Sequence, residues 1–345
     1  MASPPSTTPH AGAAEREPHP MAGETEFVHE EGAVAEAPAP SPNHEAAGVA
    51  YGVLAYSWWG VIIPVYVWAL ASRWSVSAEE LLAHRVVWGV PVMALLLTYR
   101  RKWGALRSIV TTRGSLTTLL WTTGLIAINW YTFTWSVANG RAAEVALGYY
   151  INPLVSIALG MVFLGERMRP AQWVCVAIAA AGVAAETAVL GRPPYLGLLV
   201  AGSFGSYGLL RKRAKADADV GLTVEMTLVA PLGVAWLAWA ASRGEMAWLS
   251  DGTPAWVNGL LLLGGVMTVV PLLAFTESAR RLRLGTVGFL QYIAPTGQFL
   301  MAVLVFGESF PPGRWASFGL IWLALVVFSA ESVRAARRAR AARSA

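Results

Sequence analysis

What most limits the possible folds of this chain is a series of long stretches without a charged side chain. Five run from Glu45 to Arg73, Arg113 to Arg141, Glu144 to Glu166, Asp251 to Glu277 and Arg283 to Glu308. Each is longer than the roughly 20 apolar residues that cross the hydrocarbon core of a bilayer. Shorter stretches follow Arg85, Arg169, Arg192, Glu225 and Arg314, and reach spanning length when a terminal charge rests at the interface. Together they predict an all-α membrane protein with ten transmembrane helices. These fall near 48–71, 80–99, 116–138, 142–163, 171–190, 194–212, 223–241, 255–279, 285–306 and 314–332. Composition agrees, because only 14% of the 345 residues are charged, too few to cover a water-facing surface. The 16 Trp and 10 Tyr suit the membrane interfaces, where an apolar ring with one polar atom is at home.

The two ends differ from this body. Residues 1–47 hold eight Glu, one Arg and four of the five histidines, His10, His19, His29 and His44. Such a segment buries too little apolar surface to offset its chain entropy and is expected to be a disordered, acidic N-terminal segment. It lacks a basic stretch followed by an apolar run and so does not read as a signal peptide. Its histidines are 9, 10 and 15 residues apart, a poor metal-ligand spacing, and no metal site or cofactor is expected. Residues 334–345 form a basic C-terminal tail carrying Arg334, Arg337, Arg338, Arg340 and Arg343, suited to anionic headgroups. The net charge of +5 does not point to nucleic acid, because the basic residues lie in short clusters between apolar runs. With Cys175 as its one cysteine the chain forms no intrachain disulfide.

Lys and Arg alternate with the helix count. Loops after even-numbered helices, with the C-terminal tail, carry 19 of them, whereas loops after odd-numbered helices carry one each: Arg73, Arg141, Arg192, Arg243 and Arg314. Positive charge stays on the cytoplasmic side, so both termini are expected there, in a bacterial plasma (inner) membrane. An internal repeat points the same way. At an offset of 142 residues, Tyr150-Ile151-x-Pro153 matches Tyr292-Ile293-x-Pro295, Gly165-Glu166 matches Gly307-Glu308, Pro170 matches Pro312 and Trp173 matches Trp315. An offset of 145 sets Glu80 against Glu225. The repeats span 48–190 and 194–333, five helices each. An odd number inserts the second copy upside down, the arrangement of alternating-access carriers with a site at the midplane.

Ionisable and amide groups inside such helices are candidates for that site, because leaving water is costly unless they are paired. In helix 2, Glu80 and His84 are four residues apart on one face, which Trp88 continues, with Arg85 beside them. They suit a substrate or proton site, or equally a structural ion pair. Asn129, Trp130 and Tyr131 in helix 3 combine amide and aromatic groups that either line a cavity or pair helices. Tyr149, Tyr150, Asn152 and Pro153 in helix 4 and Gln291, Tyr292 and Pro295 in helix 9 occupy repeat-related positions. There a proline frees a carbonyl that a polar neighbour or a ligand can satisfy. Arg211 and Lys212 end helix 6 and Glu225 begins helix 7; they form a candidate cytoplasmic gate or, more simply, topology anchors. Glu186, Glu277 and Glu331 sit near helix ends and are expected to reach the interface.

At these residues the chain resembles the RarD branch of the EamA-type transporters, in the drug/metabolite transporter superfamily. The resemblance rests on Leu147-Gly148-Tyr149-Tyr150-Ile151-Asn152-Pro153-Leu154 running on to Gly165-Glu166-Arg167, on Tyr207-Gly208-Leu209-Leu210-Arg211-Lys212, and on Gly288-Phe289-Leu290-Gln291-Tyr292-Ile293-Ala294-Pro295-Thr296. His84-Arg85-x-x-Trp88 and Asn129-Trp130 add to it. It covers residues 48–333 and implies two five-helix EamA repeats, cytoplasmic termini and a permease named for an effect on chloramphenicol sensitivity. Gly89, where a Ser usually follows the helix 2 Trp, and Val145-Ala146, in place of a more polar pair, depart from the pattern. The expected function is a secondary transporter, not an enzyme, that moves a small metabolite or drug-like solute by alternating access, with export as a candidate direction. Its partners are that solute and the lipid bilayer, with Glu80, His84 or Glu225 as candidate sites of proton coupling. A passive facilitator or channel is the alternative, with an intramembrane enzyme further behind: His84 is not in an HExxH motif, and no Walker loop is present.

Overall fold

The computed structural model describes residues 42–164, 170–213, 216–282, 286–287 and 290–344, and no strand occurs among them. The helices are α1 (Pro42–Ser57), α2 (Ile63–Trp74), α3 (Ala78–Val87), α4 (Gly89–Tyr99), α5 (Trp103–Thr111), α6 (Arg113–Ala138), α7 (Ala142–Leu164) and α8 (Pro170–Leu190). They continue with α9 (Tyr195–Arg213), α10 (Ala218–Arg243), α11 (Ala255–Leu262), α12 (Gly264–Arg281), α13 (Ile293–Leu300) and α14 (Pro312–Ser344). The first helix starts at Pro42, inside the segment expected to be disordered, whose residues 1–41 lie outside the described residues. The basic C-terminal residues extend α14.

Among the described residues six helices are long and apolar enough to cross a membrane: Glu45–Trp74, Ala78–Tyr99, Ala142–Phe163, Trp173–Leu190, Ala218–Arg243 and Pro312–Glu331. The α11–α12 pair, bent by 40°, makes a seventh if it counts as one span. The other expected spans fall on α6, α9 and the stretch ending in α13. Of these, α6 and α9 have 26 and 19 residues but lower mean hydropathy, and the apolar run Ile293–Val305 is short.

Helix interruptions coincide with prolines, which lack an N–H and whose ring crowds the carbonyl four residues back. Between α1 and α2 a π-turn, Trp58–Ile62, contains Gly60, the residue four before Pro64, and Ile63 N bonds to Trp58 O instead. α3 ends at Val87, four residues before Pro91. Inside α12, Pro271 releases the Met267 carbonyl, which accepts the Trp58 indole N–H at 3.1 Å. A carbonyl that has no water to bond is thereby satisfied from another helix.

Small residues set the closest helix approaches. A Cβ on Gly148 in α7 would lie 2.2 Å from the Gly197 carbonyl oxygen in α9. A Cβ on Gly297 in α13 would lie 2.9 Å from the Gly60 carbonyl. In the absence of a hydrophobic drive within lipid, such backbone proximity is what van der Waals packing of helices relies on. The ends of α4, α10 and α12 are tied by charge: Asp219 meets Arg100 at 3.2 Å and Lys102 at 3.0 Å, Lys102 reaches Asp217 at 2.7 Å, and Arg100 lies 3.6 Å from Glu277. The Asp217 carboxylate and, behind it, Asp219 hold the Lys102 ammonium above its ordinary range.

Gly148→Val should lower the melting temperature in detergent by an amount equivalent to about 1–3 kcal/mol, because the new methyls press on backbone that cannot rotate away. Gly104→Ala, where nothing lies within 4 Å, is the control and should not lower it. Equal melting temperatures for wild type and Gly148→Val would contradict a backbone-to-backbone α7–α9 crossing.

Candidate functional site

The charged group of α3 is assembled by its first two turns. Ser77 caps the helix, its Oγ accepting from Glu80 N at 3.1 Å. This starts the helical register that sends Glu80, His84 and Arg85 into the protein, 1%, 0% and 5% exposed. The Glu80 carboxylate accepts the backbone N–H of Ala247 at 2.9 Å and of Trp248 at 2.7 Å, in the turn between α10 and α11. Charge-assisted bonds of this kind replace the water that a buried carboxylate loses.

Four residues on, His84 Nδ1 accepts the Trp88 indole N–H at 3.0 Å. In the neutral ring the proton therefore sits on Nε2, which lies 4.0 Å from Glu80 Oε1 and has no hydrogen-bond partner among the described residues. The rings of His84 and Trp88 both stand edge-on to Trp248, with centroids 5.1 and 6.4 Å away. The Glu80–His84–Trp88 stripe expected from i, i+4 spacing is thus a contiguous contact. Arg85 points differently: Nε donates to Thr268 Oγ1 at 3.0 Å and Nη1 to Thr134 Oγ1 at 3.2 Å, joining α3 to α12 and α6.

A second group lies on α6, α7 and α9. Asn129 Nδ2 donates to Val200 O at 3.1 Å and Ser203 Oγ at 3.3 Å, while its Oδ1 accepts from the Tyr149 hydroxyl at 3.0 Å. All three capacities join helices. Tyr150 shares a hydrogen bond of 2.8 Å with Thr296, one residue past Pro295, linking the repeat-related stretches of α7 and α13. Asn152 Oδ1 and Tyr292 Oη are buried without a partner among the described residues, and Pro295 is buried. Gln291 adjoins Tyr292, and Pro153 adjoins Asn152, in the chain. Trp130 turns into an apolar cluster with Met93, Met226 and Val269. Tyr131 is 40% exposed and donates to Glu79 at 2.7 Å. These two residues are not brought together with the rest.

Glu225 is fully buried in α10. It accepts from Thr122 Oγ1 at 2.7 Å and Tyr207 Oη at 3.1 Å, and Arg211 Nε is 4.0 Å away. Arg211 can reach it because Gly221 has no side chain: a Cβ there would sit 2.0 Å from Arg211 Nη1. The Lys212 side chain and Glu166 lie outside the described residues.

Other charged contacts were not anticipated. Glu308 accepts from Ala142 N at 2.5 Å and Ala143 N at 3.0 Å, taking free donors at the start of α7. Beside it, Arg141, Glu144, Arg192 and Arg314 border a polar cavity of about 210 Å³. Glu144 holds Arg141 at 2.6 Å and Arg192 at 3.1 Å. Glu186 is fully buried inside the protein and pairs with Arg314 Nε at 2.7 Å. Hydropathy near a helix end does not reveal a partner 128 residues away. A sequence signal existed only for Glu308, through its repeat relation to Glu166.

Comparison with known proteins gives one consistent result. Residues 46–185 match the family model described as the EamA-like transporter family. The chain is 42% identical over 307 residues to an uncharacterized transporter of Vibrio cholerae, covering 88% of this chain and 99% of that protein. It is 39% identical to Protein RarD of Streptomyces exfoliatus, covering 87% and 93%, and 39% identical to Protein RarD of Escherichia coli, covering 84% and 96%.

Glu80→Gln turns an amide N–H₂ toward one of two backbone donors. It should destabilise the protein by about 1–3 kcal/mol, read as a lower melting temperature; an unchanged value would remove the anchoring role of Glu80. Glu308 gives a pH signature. Burial pushes its carboxyl above the ordinary value of 4.5, outweighing the amides of Ala143 and Ala142. A raised folded value means that its contribution is fully present below pH 4.5 and lost as the pH rises through the folded value. Wild type should therefore lose more thermal stability between pH 4.5 and 7.5 than Glu308→Gln does. Parallel pH profiles for the two proteins would contradict it.

Proposed function

The chain belongs to the EamA-like transporter family, in its RarD branch, and from that premise we propose that it is a secondary carrier working by alternating access. The family and the apolar helices make it a multi-pass membrane permease of the drug/metabolite transporter type. Beyond that, the proposal is ten spans in two inverted five-helix repeats, in the bacterial plasma membrane with both termini cytoplasmic. In support of ten spans, α6 and α9 have 26 and 19 residues and so are roughly 39 and 28 Å long at about 1.5 Å per residue. Part of what lowers their hydropathy is turned inward, as Asn129, Ser203, Thr122 and Thr134 are buried.

The observation that carries the reading is the concentration of buried ionisable groups on apolar spans: Glu80, His84 and Arg85 on α3–α4, Glu225 on α10. Such placement is costly in a protein that only has to fold. The solute pathway then runs past Glu80, His84, Arg85 and Trp88, between Asn129, Tyr149, Tyr150 and Asn152 on one side and Gln291, Tyr292 and Pro295 on the other. Arg211 and Glu225 form the inner gate. A relative from Pseudomonas aeruginosa, 32% identical, is named Chloramphenicol-sensitive protein RarD, so chloramphenicol is the first solute to try.

Proteoliposomes loaded with unlabelled chloramphenicol should transiently accumulate labelled chloramphenicol above equilibrium, and saturably, while Glu225→Ala should slow this at least tenfold. Simple equilibration, linear in concentration across the available range, would mark a passive pore and overturn the carrier reading. The same vesicles test proton coupling through Glu80, His84 or Glu225: flux identical with and without a pH gradient removes it.

A further inference from the structure

We propose that Arg85 is the receptor for an oxyanion on the transported solute, so that the cargo is a small carboxylate- or phosphate-bearing molecule with an apolar body. This rests on the pathway reading above. The guanidinium stays protonated at any working pH, and Arg85 is 5% exposed on an apolar span. The groups it bonds, Thr134 and Thr268, are neutral. Hydroxyl dipoles orient a cation without cancelling its charge. Among the described residues no carboxylate lies within ion-pair distance of Arg85, and no acceptor meets Nη2.

The acidic groups nearest in sequence are already committed. Glu80 is bonded to the amides of Ala247 and Trp248, and Glu79 to the Tyr131 hydroxyl. Of the other arginines turned into the bundle, the buried Arg314 has Glu186, and the partly exposed Arg211 faces Glu225. Arg85 is the exception among them, and a buried charge left without a counter-ion is a strong destabilising element unless something supplies one.

The surroundings fit an oxyanion with an apolar body. Nε and Nη1 are fixed by two threonines on different helices, so the guanidinium plane is held before anything binds, and a planar fork matches carboxylate and phosphate oxygens. The Tyr66 hydroxyl flanks the Arg85 stem across Gly264, where a Cβ would lie 3.2 Å from both. Tyr66 in turn lines a cavity of about 360 Å³ with Leu70, Arg73, Leu260, Met267 and Trp256; Arg85 itself does not line it, so Tyr66 is the link between the guanidinium and the space for the apolar part.

The test is a thermal shift of the full chain in lipid nanodiscs, titrated with sodium benzoate, phenyl phosphate and benzamide at constant ionic strength. Benzoate or phenyl phosphate should raise the melting temperature saturably, whereas benzamide, the neutral isostere of benzoate, should not. The stronger of the two anions identifies the headgroup. Arg85→Gln should weaken anion binding at least tenfold, and Arg85→Lys, which keeps the charge and loses the fork, should fall between. Equal responses to benzoate and benzamide, no response to either anion, or wild-type affinity in Arg85→Gln would each overturn the proposal. The wild-type comparison stands even if Arg85→Gln fails to fold. Saturable chloramphenicol counterflow in a protein blind to both anions would keep the carrier and discard the anion site. Anion binding through Arg85 in a protein that shows counterflow of neither chloramphenicol nor the bound anion would do the reverse.

Discussion

Glu80 reaches out of the first turn of α3 to two consecutive amides at the start of the α10–α11 connection. That contact fixes both the depth and the rotation of a ten-residue helix that ends where Pro91 forbids its continuation. With the rotation set, His84 and Trp88 must follow Glu80 onto Trp248, and Arg85 must turn toward Thr134 and Thr268. A carboxylate surrounded by apolar groups has few alternatives, because without donors it would not remain ionised. The entire charged face of α3 therefore depends on a pair of amides from a loop over 160 residues away.

The same constraint recurs through the bundle in different forms. Glu308 uses the free donors of a helix start, Glu225 uses two side-chain hydroxyls with Arg211 at the edge, and Glu186 uses a guanidinium. Even the backbone obeys it, since the carbonyl released by Pro271 is taken by the Trp58 indole. Glycine contacts such as Gly148 on Gly197 let these partners come close enough to meet. Among these groups the Arg85 guanidinium stands apart, held by two threonine hydroxyls with no carboxylate to balance its charge.

Several parts of this are legible in the sequence. The Glu80–His84–Trp88 stripe follows from helical spacing alone, since residues four apart must share a face. The repeat set Tyr150 and Tyr292 at equivalent positions, but that Tyr150 bonds Thr296 is a contact the alignment did not indicate. Asn129 was read as a group that lines a cavity or pairs helices, and its bonds to Val200, Ser203 and Tyr149 are of the pairing kind. Other parts were hidden. Glu186 looked like an interfacial residue because its neighbours in sequence are apolar and the helix end is near; its partner Arg314 looked like a loop charge. Neither reveals the other at a separation of 128 residues. Tyr131 looked equivalent to Trp130 in sequence, yet successive helix positions are rotated by about 100°, and the two face apart.

The sequence by itself determined that the chain is helical and membrane-embedded, since charge-free stretches of this length leave the backbone no partner but itself. It also determined which side chains would have to leave water, Glu80, His84, Arg85 and Glu225 among them. Only the tertiary structure decided how each of them is compensated: amides for Glu80, hydroxyls for Glu225, threonines without a carboxylate for Arg85. The reason is physical. Burial of a charge is dictated locally by the apolar residues around it in the chain, whereas its compensation is a contact over a few ångströms between groups that the chain places tens to hundreds of residues apart.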